Sequence, residues 1–385
     1  PRASGRAVEA FGGQVEWRED GTLAVWGFGD APGSPAEAVD CANSGTTMRI
    51  ATAVAALAEG VTELVGDESL SDRPQGPLLD AIEQLGGSAK SATGDGTPPL
   101  AVSGPIEGGK ASIPGDVSSQ FVTALLLAGA ATPEGISITL ETDLKSAPYV
   151  DLTLGVLESF DVDARSTPFG YVVDGDQTYR PPAGGYHVPG DFSSMSYLLA
   201  AGAIAGDPEV TVTGARPSAQ GDRVIVDVLE RMGAGVEWDR EEGTITVERS
   251  DLSGIEVGVE DTPDLLPTIA VLGAVADGTT RITDCEHVRY KETDRVSGMA
   301  EELERLGVET DERQDELIIH GGESTLDGGM VNGRGDHRLV MALSVAALAA
   351  EGRSTVLGSE HIDVSFPNFY QVLDDLGAAV HTAGH

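Results

Sequence analysis

Residues 46–60 read TTMRIATAVAALAEG, and stretches of the same make-up recur at 118–135 (SSQFVTALLLAGAATPEG), 193–206 (SSMSYLLAAGAIAG), 264–278 (DLLPTIAVLGAVADG) and 337–352 (HRLVMALSVAALAAEG). Each opens beside Ser, Thr or Asp, residues that cap free backbone N–H groups, and continues through small and aliphatic residues at helical spacing. Four of the five end at a glycine suited to the left-handed turn that closes a helix, and the third ends in Gly-Asp-Pro. The starts lie about 70 to 75 residues apart, the spacing of an internally repeated architecture.

A short strand pattern follows each helix: VTELVG, ISITLE, VTVTG, TTRITD and STVLG. Second helices then appear in LLDAIEQLGGSAK, LTLGVLESFDVDA, IVDVLERMGAGVEW and MAEELERLGVETD, each before a turn and another strand. Residues 6–17 (RAVEAFGGQVEW) read as the tail of a sixth copy whose beginning is missing. Six βαβ-type units in two sets of three predict an α/β protein of two similar domains, each with a helical core wrapped by sheet. The seam is expected near residues 216–222, giving domains 1–221 and 222–385. The first-helix N-termini are expected to converge on the gap between the domains, where partial positive charge and free N–H groups favour anions.

The charge balance narrows the partners. With 63 acidic against 24 basic residues and a formal net charge of -39, nucleic acid and anionic membranes would be repelled. Lysine occurs only at Lys90, Lys110, Lys145 and Lys291, and the carboxylates are spread over every segment. This pattern reads as adaptation to high salt, where a screening length of about 3 Å at 1 M cancels most self-repulsion; a merely acidic protein of ordinary habitat is the alternative. Cys41 and Cys285 make no disulfide framework or metal-ligand spacing, so no structural metal is expected. No apolar run reaches the roughly 20 residues that span a bilayer. A cytoplasmic monomer is expected.

Polar residues exceed what capping needs at four helix starts: 43–49 (NSGTTMR), Ser118-Ser119-Gln120, Asp264, and Asp336-His337-Arg338. The few cations stand beside them: Arg49, Arg73, Lys291, Arg295 and Arg338. In so acidic a chain an anionic ligand needs a local positive pocket, and guanidinium forks suit phosphate and carboxylate. Ordinary capping and surface ion pairs remain the alternatives at each single cluster. Lys291 and Glu292 are expected to begin a second helix, an ammonium and a carboxylate side by side where acid–base work is possible. Asp264, within an apolar stretch, is either an N-cap or half of a proton-relay pair.

In series, NSGTTMR, Asp72-Arg73-Pro74, Val117-Ser118-Ser119-Gln120-Phe121, Ser146-Ala147-Pro148-Tyr149, Gln220-Gly221-Asp222, Lys291-Glu292-Thr293-Asp294-Arg295 and Asp336-His337-Arg338 resemble the 3-phosphoshikimate 1-carboxyvinyltransferase family of enolpyruvyl transferases, over essentially the whole chain and in the right order. The resemblance implies two domains of three βαβαββ units each, the first here incomplete, closing over phosphoenolpyruvate and shikimate 3-phosphate with no metal or organic cofactor. It assigns Ser118, Ser119, Gln120, Ser146, Tyr149 and Lys291 to shikimate 3-phosphate, and Gly45, Arg73, Gln120, Arg295 and Arg338 to phosphoenolpyruvate. Asn43, Thr46 and Arg49 belong to the same binding motif. Asp264 would bind the shikimate hydroxyls and move protons, and Glu292 would protonate the methylene carbon, with Lys291 beside them.

The pattern departs from the family at several points. The family's N-terminal Lys-Ser segment is absent from these residues, and a chain truly lacking it is expected to be nearly inactive. Val364 and Ala147 stand where lysine is common, and His287 near a family asparagine. Rival readings are transfer to a uridine-diphosphate amino sugar, whose loop cysteine context neither Cys41 nor Cys285 shares, and a non-catalytic anion binder on the same repeats. A pure binder has no use for Asp264 and Glu292, which repel its ligand.

Overall fold

The computed structural model describes residues 2–29, 31–322 and 326–382. It forms two compact units that part between Tyr186 and His187, well before the boundary at 221 and 222 that the sequence suggests. The third first-helix, Phe192–Ala205, explains the difference. Nearly all of its side chains are buried, and a helix that is apolar all round must be enclosed on every side. Helices Leu266–Val275 and His337–Ala349 of the second unit enclose it, with Ser196 Oγ and Thr268 Oγ1 2.9 Å apart at a polar point of contact. The helix therefore belongs with the residues that follow it.

Three sheets share one strand order. In the first unit, Val39–Asp40, Gly60–Val65, Leu100–Gly104 and Ser88–Ser91 form one four-stranded sheet, and Gly109–Ile113, Ile136–Leu140, Gly170–Val173 and Ala164–Thr167 another. In the second, Glu256–Gly258, Gly278–Thr283, Glu316–Gly321 and Glu309–Arg313 repeat the pattern. Each time a leading strand runs parallel to the strand after the first helix, and the remaining pairs are antiparallel. This is the βαβαββ unit that the family resemblance implies. The described residues also contain a three-stranded sheet around Thr244–Glu248 and two two-stranded sheets, Gln14–Trp17 with Leu23–Trp26 and Met330–Asn332 with Thr355–Leu357.

Each unit has its own apolar core, one drawn from residues 7–173 and the other from 192–373. The first helices lie directly on the strands that follow them: a Cβ on Gly273 would come within 2.8 Å of Thr280 Cβ, so no larger residue fits. Among the described residues no helix is long and apolar enough to cross a membrane.

Candidate active site

In the first unit the polar cluster grows from two helix starts packed side by side, Gly45–Ala55 and Ser119–Gly129. Ser44, not Thr46, caps the first, accepting from Thr47 N, while Ser118 caps the second. That leaves Thr46, Arg49 and Gln120 to bond one another: Arg49 donates to Gln120 Oε1 at 2.7 Å, and Gln120 Nε2 donates to Thr46 Oγ1 at 3.0 Å. The Arg49 guanidinium also lies 5.5 Å from the centre of the Phe121 ring, a cation–π distance.

Arg73 reaches the start of the same helix. Its Nη2 donates to Asn43 Oδ1 at 3.1 Å and to Ser69 Oγ at 3.2 Å, and Asn43 Nδ2 donates to Asp67 at 2.8 Å. Gly45 sits beneath both guanidinium groups: a Cβ there would press on Arg49 Nη1 and stand 3.3 Å from Arg73 Nη1. Any side chain here would displace those guanidinium ends from the backbone, so glycine keeps both cations close to it.

Ser146 and Tyr149 open the next helix, Ala147–Ser159. Ser146 is buried with a left-handed backbone (φ 57°) and makes no cap bond. The segment is fastened by Lys145 N donating to Gly115 O at 3.0 Å and by Thr123 and Thr153 hydroxyls 2.9 Å apart, so it runs beside the turn that carries Ser118 and Ser119.

The second unit's cluster centres on Arg295, whose side chain is 1% exposed. Its Nε donates to Asp336 Oδ2 at 2.7 Å, Nη1 to Asp264 Oδ1 at 2.7 Å and Nη2 to Glu292 Oε2 at 2.5 Å. Arg338 Nη2 reaches the other oxygen of Asp264 at 2.9 Å. Burial works against charge on Asp264, but Arg338, Arg295 and Lys291 together hold its carboxyl well below the usual carboxylate range. The same logic runs the other way at Arg295: burial opposes its charge, and Asp336, Glu292 and Asp264 overcome that and raise it.

One expectation needs correction here, and one of the two alternatives at Asp264 falls away. Lys291 and Glu292 do not begin a helix; the helix is Arg295–Glu304, capped by Asp294, and both residues stand in the link between the short turn Glu286–Tyr290 and that cap. Asp264 caps nothing, since it lies in the 3-10 turn Pro263–Leu265 with its carboxylate given to the two arginines. A backbone cap would have used oxygens that are here turned toward guanidinium groups, and charged partners win over an amide.

Asp336 is the residue that sequence reasoning undervalued. Fully buried, it caps His337–Ala349 by accepting from Arg338 N at 2.8 Å and also anchors Arg295. One carboxylate thereby holds the Arg295 side chain and caps the helix on which Arg338 stands, and an Asp immediately before a His-Arg pair was the available signal. Asp191 plays a similar part, accepting from Ser194 Oγ and Gln220 Nε2 at 2.6 Å each; although burial raises its carboxyl, those bonds and the charge of Arg338 bring it below the ordinary range. Tyr197, beside Arg338 and Arg295, has its hydroxyl pushed up by burial. His287 lies in the Glu286–Tyr290 turn, and Val364, itself exposed, closes the turn Ser359–Val364.

Repeated βαβαββ units, with arginines near their helix starts and interlocked carboxylates in the second unit, define a repeated-unit α/β protein. The sequence model of EPSP synthase (3-phosphoshikimate 1-carboxyvinyltransferase) matches residues 2–373, and the chain belongs to that family. Relatives named 3-phosphoshikimate 1-carboxyvinyltransferase include one from Halobacterium salinarum, 64% identical over 98% of this chain and 88% of its own length. Another, from Halorubrum lacusprofundi, is 60% identical over 100% of this chain and 89% of its own. A solved EPSP synthase from Acinetobacter baumannii superimposes with a TM-score of 0.81 at 27% identity, over 98% of this chain and 87% of that one.

Proposed function

We propose that this protein transfers the enolpyruvyl group of phosphoenolpyruvate to the 5-hydroxyl of shikimate 3-phosphate, releasing phosphate. The observation that carries the reading is the Arg295 cluster, where Asp264 and Glu292 share one buried guanidinium. A protein that only bound anions would gain nothing from two carboxylates at its most enclosed cation. Family membership and the names of relatives 60–64% identical agree with it.

The reaction is addition followed by elimination. A proton added to the methylene carbon of phosphoenolpyruvate makes its second carbon cationic, and the 5-hydroxyl oxygen bonds there as its own proton leaves. The carbon–oxygen bond to phosphate then breaks and a proton is lost from the methyl group, restoring the double bond. Glu292 supplies the first proton, and Asp264 takes the hydroxyl proton. The depressed carboxyl of Asp264 makes it a weak base while Arg295 and Arg338 hold it. Phosphoenolpyruvate that engages those arginines loosens that hold, so base strength rises when the substrate is in place.

Arg73, Gln120, Arg295, Arg338 and the backbone at Gly45 bind phosphoenolpyruvate. Ser118, Ser119, Gln120, Ser146, Tyr149 and Lys291 bind shikimate 3-phosphate, while Asn43, Thr46 and Arg49 keep the first-unit groups oriented. Positioning two anions and stabilising the departing phosphate supply most of the rate. The enzyme acts as a cytoplasmic monomer, and its charge disfavours nucleic acid and anionic membranes.

The test is phosphate release from phosphoenolpyruvate, followed with and without shikimate 3-phosphate. Release should depend on shikimate 3-phosphate, and equal release with a uridine-diphosphate amino sugar would overturn the substrate assignment.

A further inference from the structure

Outside the Arg295 cluster stands another multiply bonded arginine, the partly buried Arg289, whose side chain is 11% exposed. Its Nε donates to Gln314 O at 2.9 Å and its Nη2 to Arg313 O. Its Nη1 donates to Asp294 Oδ2 at 2.9 Å, to Glu312 Oε1 at 2.7 Å and to Ser297 Oγ at 3.1 Å. Asp294 is the cap of helix Arg295–Glu304, accepting from Val296 N and Ser297 N. Ser297 Oγ completes the knot at 2.6 Å from Glu312.

The consequence is topological. Arg289 and Asp294 bond to each other, so the run between them, Lys291, Glu292 and Thr293 included, is a closed loop. Its foot is pinned to the hairpin joining Glu309–Arg313 and Glu316–Gly321, which Glu286 N grips again through Asp315 at 2.7 Å. Two of the residues assigned to the chemistry stand inside that loop, and a third, Arg295, is the next residue along. A planar guanidinium serves five acceptors at once, which an ammonium on a flexible stem does not.

We infer that Arg289 is a positioning residue for the transfer reaction, fastening the loop that presents Lys291, Glu292 and Arg295; this rests on the function proposed above. Arg289→Ala should lower kcat per folded molecule by about 100-fold, the usual cost of misplacing a reacting group by about 1 Å. Arg289→Lys, which keeps the charge but not the carbonyl contacts, should recover part of the loss. Arg281→Ala serves as control, since Arg281 pairs with Glu256 and Glu316 on the sheet of the same unit and should lower only the unfolding midpoint. Backbone amide exchange gives a readout independent of turnover: residues 290–297 should exchange at least about tenfold faster in Arg289→Lys, with the rest of the unit unchanged. Wild-type exchange in that run, or kcat losses no greater than those of Arg281→Ala, would overturn the inference. Activity of the unaltered chain tests the transfer reading separately, and the exchange result stands whichever way that falls.

Discussion

Two sets of arginine contacts, one in each unit, differ in the groups that make them. In the first, Arg49 is oriented by the amide of Gln120, and Arg73 by Asn43 and the hydroxyl of Ser69. In the second, Arg295 and Arg338 are oriented by Asp264, Glu292 and Asp336. A neutral dipole aims a guanidinium and does nothing else, whereas a carboxylate that aims it has its own ionisation set in return. The Gln120 and Asn43 contacts thus aim their arginines, whereas Asp264 and Glu292 aim Arg295 and, in the function proposed above, also move protons.

The largest test of that contrast is Asp264→Asn. It preserves shape and a bond to one arginine but removes the base, so kcat should fall by about 10² to 10⁴, with KM for phosphoenolpyruvate moving far less. Turnover within a few-fold of the parent would place the proton chemistry elsewhere. Glu292→Gln should give a loss of the same kind in the same assay, and unchanged turnover would remove Glu292 from the chemistry.

Stability should divide the units next. Asp336→Ala removes one of the three carboxylates that hold the buried Arg295 guanidinium and deletes a helix cap, and is expected to cost about 3 kcal/mol by denaturant unfolding. Gln120→Ala in the first unit removes only a neutral partner and should cost about 1 kcal/mol. Equal costs at the two positions would erase the distinction between charged and neutral scaffolding.

Acid titration of stability sharpens the comparison further. Burial, then the charge of Arg338, lowers the His337 imidazole to about 4. Between its unfolded value of about 6.5 and that figure, the unfolded chain binds the extra proton, so stability drops as pH falls through this window. Asp264 acts lower down: its depressed carboxyl stabilises the fold above about 3.9, and that contribution fades as pH falls through its folded value. His337→Gln should flatten the upper limb and Asp264→Asn the lower one, measured by unfolding midpoints across pH. A single limb that neither variant alters would refute the assignment. The smallest effect is expected at Thr46→Val, which removes one hydroxyl acceptor from Gln120 and should change KM values by about a few-fold without altering kcat.

The local chemistry shows how far the chain could be read unaided. The five apolar helices and their polar starts were legible because helix period, caps and terminal glycines are short-range signals. The candidate site was legible as a set of types, since cations are so few that Arg49, Arg73, Lys291, Arg295 and Arg338 stand out. Their partners were not, because Asp336 meets Arg295 across 41 residues of chain and no periodicity reports such a contact. Likewise Ser44 and Asp191 cap the helices whose polar starts read from Thr46 and Ser193, since a two-residue shift at a helix end lies within the ambiguity of sequence reading.

What the sequence determined by itself was the repeat, the fold class and the anionic character of the ligands, all properties of composition and spacing. Only the tertiary structure decided which helix belongs to which unit, because enclosure of Phe192–Ala205 depends on helices 60 and more residues away. It also decided which carboxylate serves each arginine. Side-chain pairing at 2.5–2.9 Å is set by where whole elements pack, and no stretch of sequence carries that information alone.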